Sequence, residues 1–157
     1  MLSKPITRYF VFLTANLLAL YIGVQLMNDG PRTEWYLSLE KAPWTPPNWM
    51  FGTAWTTIMF LYAGYMTKLS FQRSFLNKKL LLLYSTQWML NVGWNYAFFN
   101  QHKTGFGLVV ILLLLLLIVY FTFSFKNELK QYSWLIAPYL IWMIIATSLN
   151  TYIVLNN

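Results

Sequence analysis

Residues 105–125 read GFGLVVILLLLLLIVYFTFSF and contain no charged side chain. A helix needs about 20 mainly apolar residues to cross the hydrocarbon core of a bilayer. The run of leucines at 112–117 is typical of a helix surface that faces lipid. This stretch therefore predicts a transmembrane helix.

Four further stretches meet the same criterion of length and apolarity. They cover residues 6–27, 48–69, 80–100 and 135–155. The connections between them are short, except for residues 28–47, which hold three of the four acidic residues. The sequence predicts a single all-α domain over residues 1–157, an integral membrane bundle of five transmembrane helices.

The composition excludes several classes of function. Hydrophobic residues make up 58% of the 157 residues and charged residues only 10%, whereas soluble domains carry about a quarter of charged residues. Disordered chains and nucleic-acid-binding modules are excluded. The chain has no cysteine and a single histidine, His102, so we expect no metal site. We find no Ser-His-Asp arrangement and no glycine-rich phosphate loop, which disfavours hydrolysis and phosphoryl transfer.

Basic residues are distributed unevenly among the connections. Eight of the eleven lie in the N-terminal segment and in the second and fourth loops, and three lie elsewhere. Positive residues are enriched on the cytoplasmic side of membrane proteins. The pattern predicts a cytoplasmic N-terminus.

The third predicted span carries an amide at every fourth position, namely Gln87, Asn91 and Asn95. This spacing places the three amides on one helix face, close to Trp94. Two interpretations remain open: hydrogen bonds between helices, or the polar wall of a ligand cavity.

Aromatic residues form faces on two other spans. The second span places Phe51 and Trp55 one turn apart, and in the fifth span an aromatic surface gives way to the small residue Ala146, over which a flat molecule could lie. Tryptophans near span ends are explained by interfacial anchoring. Trp55, Trp94 and Trp142 lie deeper.

Small residues recur at four-residue spacing in the first span, at Ala15, Ala19 and Gly23, and in the third, at Gly93 and Ala97. Such spacing permits close helix approach. We expect packing within the chain rather than dimerisation at these faces.

Three motifs carry a family resemblance. They are WYLSLEKAPWTPPNW at residues 35–49 continuing to Trp55, QWMLNVGW at 87–94, and PYLIW followed by ATSLN within 138–150. In order and spacing they resemble the motifs of the tryptophan-rich sensory protein family, also called the translocator protein, peripheral benzodiazepine receptor or TspO/MBR family. The chain resembles its bacterial members.

The resemblance implies a receptor or carrier for porphyrin-type tetrapyrroles and other flat hydrophobic ligands, such as benzodiazepine-type drugs, acting in tetrapyrrole or stress signalling. It implies an often dimeric protein of the bacterial inner membrane, with a cavity under the first loop and protoporphyrin IX or haem as ligand. No cofactor is required and no nucleic-acid partner is implied. The implied cavity residues are Tyr36, Pro46, Phe51, Trp55, Asn91, Trp94, Trp142, Ala146 and Leu149.

Two alternatives to this function stay open. Some bacterial members of the family are reported to degrade protoporphyrin in light, which would make Trp55 and Trp142 catalytic. The chain could instead be a regulatory membrane interaction protein. Sterol transport does not carry over, because the family's sterol motif needs a basic residue after its tyrosine and residues 153–157, after Tyr152, contain none.

Overall fold

The computed structural model describes residues 4–157, and that range contains helices and no β-strand. The predicted all-α class is confirmed. Five of its helices are 18 residues or longer. They are α1 (Pro5–Leu26), α2 (Asn48–Arg73), α3 (Lys78–Asn95), α4 (Thr104–Ser124) and α5 (Ala137–Asn156).

Three stretches of the described chain are long and apolar enough to cross a membrane: Pro5–Arg32, Thr104–Ser124 and Lys126–Asn156. They correspond to the predicted spans at 6–27, 105–125 and 135–155. Helices α2 and α3 are less apolar, because tyrosines and amides lie within them and basic residues lie at their ends.

Two connections contain more helix than the sequence predicts. The long first loop includes a 3₁₀ turn at Gly30–Arg32 and a short helix at Glu34–Ser38. The Thr33 hydroxyl caps this short helix by accepting the backbone N–H of Tyr36, as N-cap residues do. The segment between α4 and α5 is also helical, at Lys126–Leu129 and Lys130–Ile136.

The end of α3 widens into a π-helical turn at Tyr96–Asn100. The backbone N–H of Gln101 donates to the carbonyl of Tyr96, five residues earlier, at 3.0 Å. As a result three consecutive side chains, Ala97, Phe98 and Phe99, are all buried.

Polar groups join α1 to its neighbours. The Asn16 amide donates to the carbonyl of Met59 in α2 at 3.0 Å and accepts from the Tyr84 hydroxyl of α3 at 2.7 Å. The Trp88 indole of α3 donates to the carbonyl of Ala15 at 2.9 Å. In an apolar bundle each such group needs a partner, so these bonds fix how α1 lies against α2 and α3.

The small-residue stripe of α1 packs within the chain. A Cβ at Gly23 would lie 2.8 Å from Nδ2 of Asn95, whereas a Cβ at Gly93 would meet no atom within 4 Å. Nδ2 of Asn95 also donates to the carbonyl of Asn91. The close approach expected for the α1 stripe is therefore observed with α3, while Gly93 faces open space.

At the other end of the bundle an ion pair links α2 to the segment before α5. The Arg73 guanidinium donates to both carboxylate oxygens of Glu128, with Nε to Oε2 at 2.8 Å. The hydrogen bond from Arg73 lowers the pKa of Glu128 below its usual range. The pair is partly exposed, so its contribution to stability is modest.

Gly23→Ala should destabilise the bundle by about 1–2 kcal/mol relative to Gly93→Ala, because Asn95 must move and lose a buried hydrogen bond. Both changes gain the same helix propensity, so Gly93→Ala is the matched control. Thermal unfolding in detergent measures the difference. Equal melting temperatures would show that α1 and α3 do not approach as described.

Acidification should weaken the ion pair between Arg73 and Glu128. A carboxyl whose folded pKa lies below its ordinary value of 4.5 stabilises the fold above that value, and the contribution is lost as the pH falls through the folded pKa. Thermal unfolding between neutral pH and about pH 3 should show this loss in the wild type. Glu128→Gln should remove part of this dependence; an unchanged profile would contradict the assignment.

Candidate ligand site

The hydroxyl of Tyr139, a residue of α5 that is only 1% exposed, joins two of the three predicted amides. It accepts from Nε2 of Gln87 at 2.7 Å and from Nδ2 of Asn91 at 2.8 Å. Both amides lie in α3, so this hydroxyl connects α3 to α5. In this conformation Gln87 and Asn91 make interhelical hydrogen bonds, one of the two interpretations that the sequence left open, whereas Asn95 donates within α3.

Two aromatic pairs bring α2 against α5. The Trp55 ring lies 5.9 Å from the Tyr139 ring, and the Phe51 ring lies 5.4 Å from the Trp142 ring, both edge to face. This geometry is favourable for aromatic side chains. Phe51 and Trp55 are one turn apart on α2, and Tyr139 and Trp142 are three residues apart on α5, so each helix presents a single aromatic face.

Trp142 has an unmet hydrogen-bond donor. Its side chain is 5% exposed, and its indole N–H is buried without a partner among residues 4–157. The indoles of Trp94 and Trp88 do have protein acceptors, namely Asn150 and Ala15. A buried N–H without an acceptor is costly, and a ligand acceptor would relieve that cost.

A second group of site residues lies towards the π-helical turn. The Trp94 indole donates to Oδ1 of Asn150 at 3.0 Å, and the Asn150 amide donates to the carbonyl of Thr104 at 3.2 Å. Trp94 also stacks on Phe98, with ring centroids 5.4 Å apart. Helices α3, α4 and α5 are therefore joined at this level.

The first loop covers this second group. The Tyr36 ring lies 5.3 Å from that of Phe99 and 6.4 Å from that of Phe98, and burial raises the pKa of the Tyr36 hydroxyl. The Lys41 ammonium lies 4.8 Å from the centre of the Tyr36 ring, a favourable cation–π contact. Tyr36 and Trp94 thus meet through Phe98, although 58 positions separate them.

The loop is also fastened to the end of α5. The backbone N–H of Glu40 donates to the Asn157 amide oxygen at 2.9 Å, and the Tyr152 hydroxyl donates to the Glu40 carboxylate at 3.0 Å. Further along the loop, the Trp44 indole donates to the Ser148 hydroxyl at 3.1 Å. These bonds hold the loop over the bundle.

The sequence-predicted residues form two neighbouring groups. Phe51, Trp55, Asn91 and Trp142 surround the Tyr139 side of the bundle, and Tyr36 and Trp94 meet at Phe98. The remaining three, Pro46, Ala146 and Leu149, are buried or half-buried without one of these specific contacts.

Five residues of this geometry are missing from the nine predicted site residues: Gln87, Phe98, Phe99, Tyr139 and Asn150. The helical spacing does single out Tyr139, which lies on the same face of α5 as Trp142. Phe98 and Phe99 leave no periodic signal, because the π-helical turn breaks the α-helical register. Across residues 4–157 no group of three or more His, Asp or Glu side chains is placed to hold a metal ion.

A separate open groove of about 440 Å³ lies on the outer face of α4 and α5. None of the nine predicted site residues lines it. Its lining residues are Trp44, Leu115, Ile144, Thr147, Ser148, Thr151, Tyr152 and Leu155.

Comparison with known proteins matches the TspO/MBR family model to residues 11–155. The chain is 38% identical over 124 residues to the "Tryptophan-rich protein TspO" of Archaeoglobus fulgidus, covering 78% of this chain and 80% of that protein. It is 30% identical over 143 residues to the "Translocator protein" of Homo sapiens, covering 88% and 83%. It is 31% identical over 117 residues to the "Tryptophan-rich sensory protein" of Cereibacter sphaeroides, covering 74% and 73%.

Tyr139→Phe should destabilise the protein by about 1–3 kcal/mol, because Gln87 and Asn91 would each lose an acceptor in a buried environment. Tyr21→Phe, at an exposed position of α1, is the control and should leave the melting temperature unchanged. Thermal unfolding in detergent compares the two variants. A Tyr139→Phe protein as stable as wild type would show that this hydroxyl does not hold α3 to α5.

Proposed function

Since the chain belongs to the TspO/MBR family, we propose that it is a membrane receptor or carrier for porphyrin-type tetrapyrroles and other flat hydrophobic ligands. The proposed site lies between α2, α3 and α5, beneath the first loop. The observation that carries this proposal is the buried Trp142 indole N–H without an acceptor, beside the aromatic faces of Phe51 and Trp55. Flat ligands stack on such faces and supply acceptors at their edges.

The amide stripe supplies the polar part of the site. Nδ2 of Asn91 and Nε2 of Gln87 donate to Tyr139 in this conformation, and the same N–H groups can donate to a ligand carboxylate or carbonyl. When a ligand enters, the two amides therefore break their hydrogen bonds to the Tyr139 hydroxyl and form new ones to the ligand. A receptor with two such bonding states can report whether ligand is bound.

The names of relatives support a role in transport or sensing. One is called translocator protein and another tryptophan-rich sensory protein. The first loop, fastened by Glu40 and Trp44 to α5, is positioned to control access to the site from its own end of the bundle. Release of these bonds would open the site on that side.

We further propose that all five long helices cross a bacterial inner membrane, as a homodimer with the N-terminus in the cytoplasm. The 26 residues of α2 extend about 39 Å at 1.5 Å per residue, enough to cross a hydrocarbon core of about 30 Å. The bonds of Asn16, Gln87 and Asn91 give partners to amide N–H groups that are buried between the helices, where no water can reach them.

Titration with protoporphyrin IX in darkness, followed by tryptophan fluorescence in detergent, tests the binding role. We expect saturable quenching. Trp142→Phe keeps a ring beside Phe51 but removes the N–H donor, and should weaken binding about three- to tenfold, the equivalent of one hydrogen bond. Trp134→Phe, at a position 79% exposed, is the matched control. Non-saturable quenching in the wild-type protein would refute the proposed site.

Metal-free protoporphyrin IX and haem should compete with similar affinity, because the proposed site contains no histidine or cysteine and the burial of Tyr36 and Tyr139 disfavours the phenolate form that ligates iron. Competition titrations followed by absorption spectroscopy measure this. Much tighter haem binding, with the spectrum of ligated iron, would contradict the proposed site.

A second candidate function is light-dependent degradation of bound protoporphyrin. The observation that favours it is the placement of Trp55 and Trp142 on facing helices, each against an aromatic partner. Illumination of the complex separates the two functions. A pigment that stays stable under illumination supports the receptor or carrier. Degradation is supported if the wild-type protein loses pigment in light and a Trp55→Phe, Trp142→Phe double variant does not.

A further inference from the structure

The two ends of the bundle differ completely in charge. One end, at the start of α1 and α3 and the end of α2 and α4, holds eight of the eleven basic residues and one acidic residue, Glu128. The other end holds three basic and three acidic residues. The first end therefore carries the chain's whole formal charge of +7, and the second carries zero. We call the first end the basic end.

Several cations of the basic end are held against aromatic rings. The Lys68 ammonium lies 4.1 Å from the centre of the Tyr132 ring, and the Lys79 ammonium lies 5.5 Å from that of the Tyr120 ring. The Arg73 guanidinium lies 5.2 Å from the Phe125 ring. Such contacts orient the charges without neutralising them. Glu128, the only acidic residue at the basic end within residues 4–157, is already paired with Arg73.

Helix electrostatics leaves part of this charge unbalanced. Lys78 and Lys79 occupy the first turn of α3, which contains no acidic residue. The N-terminus of a helix carries partial positive charge, so basic residues are unfavourable there and anions are favourable. An external anion at this position would relieve the repulsion.

The exposed apolar side chains beside these cations favour an anion that also carries a hydrocarbon part. Leu76, between Arg73 and Lys78, is 72% exposed, and Trp134, near Lys130, is 79% exposed. Phe71 and Leu82 are exposed as well. A soluble anion would match the cations but leave these apolar side chains uncovered. A phospholipid offers both the anionic headgroup and the hydrocarbon.

We propose that the basic end is a binding surface for anionic phospholipid headgroups, and that it selects them over zwitterionic lipids. The bound lipids would place phosphate groups at Lys78 and Lys79 and acyl chains along the exposed apolar side chains beside them. The inference does not depend on porphyrin binding, because it rests on the end of the bundle opposite the first loop.

The test is the binding of phosphatidylglycerol and of phosphatidylcholine to purified protein in detergent, followed by native mass spectrometry. Wild-type protein should retain phosphatidylglycerol preferentially, and its melting temperature should rise as that lipid is added. Lys78→Gln with Lys79→Gln should weaken phosphatidylglycerol binding by about thirtyfold, since each of the two basic residues near an anionic membrane surface contributes roughly 1 kcal/mol.

The matched control is Arg32→Gln with Lys103→Gln, which removes the same charge from the opposite end at exposed positions. It should leave phosphatidylglycerol binding unchanged. Equal loss in both double variants would overturn the proposal, because net charge alone would then govern binding. Equal retention of the two lipids would also overturn it, as would full displacement of phosphatidylglycerol by inorganic phosphate, which would indicate a soluble-anion site.

Discussion

The architecture depends on the absence of water from the interior of an apolar bundle, where a polar group must find its partner within the protein. The Tyr139 hydroxyl is the clearest case, because it accepts two amides of α3 from its position on α5. Asn16 plays the same part between α1, α2 and α3, and Asn150 between α3, α4 and α5. Apolar packing fills the space between helices, whereas these few bonds determine which helices are adjacent and at what level.

The proposed ligand chemistry uses the groups that also hold the helices together. Asn91 donates to the Tyr139 hydroxyl in this structure and is proposed to donate to a bound ligand, so the same N–H would serve stability and recognition at different times. Trp142 differs, because its N–H has no protein partner to give up. A ligand would therefore gain one bond at Trp142 at no cost to the protein and exchange others at α3. The affinity would depend on the free energy gained at Trp142 and on the free energy of exchanging the hydrogen bonds of α3.

The long helices could be predicted from the sequence because each corresponds to a run of about 20 mainly apolar residues. The predicted span at 6–27 differs from α1 by a single residue at each end, and the predicted fifth span differs from α5 by two or fewer. The helical spacing predicted that Phe51 and Trp55 lie on one face of α2, whereas their pairing with Trp142 and Tyr139 of α5 is seen only in the structure. The first loop could not be predicted in detail. Its hydrogen bond between Glu40 and Asn157 joins positions that are 117 residues apart. No local pattern encodes such a contact.

The π-helical turn at Tyr96–Asn100 has a consequence for how the site can vary among related chains. In a regular α-helix, neighbouring residues point about 100° apart; the π-helical turn holds more residues per turn, which reduces this angle and brings Phe98 and Phe99 closer to one face. The wide turn presents both rings, Phe98 to Trp94 and Tyr36 and Phe99 to Gly30. Loss of one residue here would restore the α-helix and withdraw one ring without any substitution. The length of this turn is therefore a determinant of the site's shape, separate from the identity of its side chains.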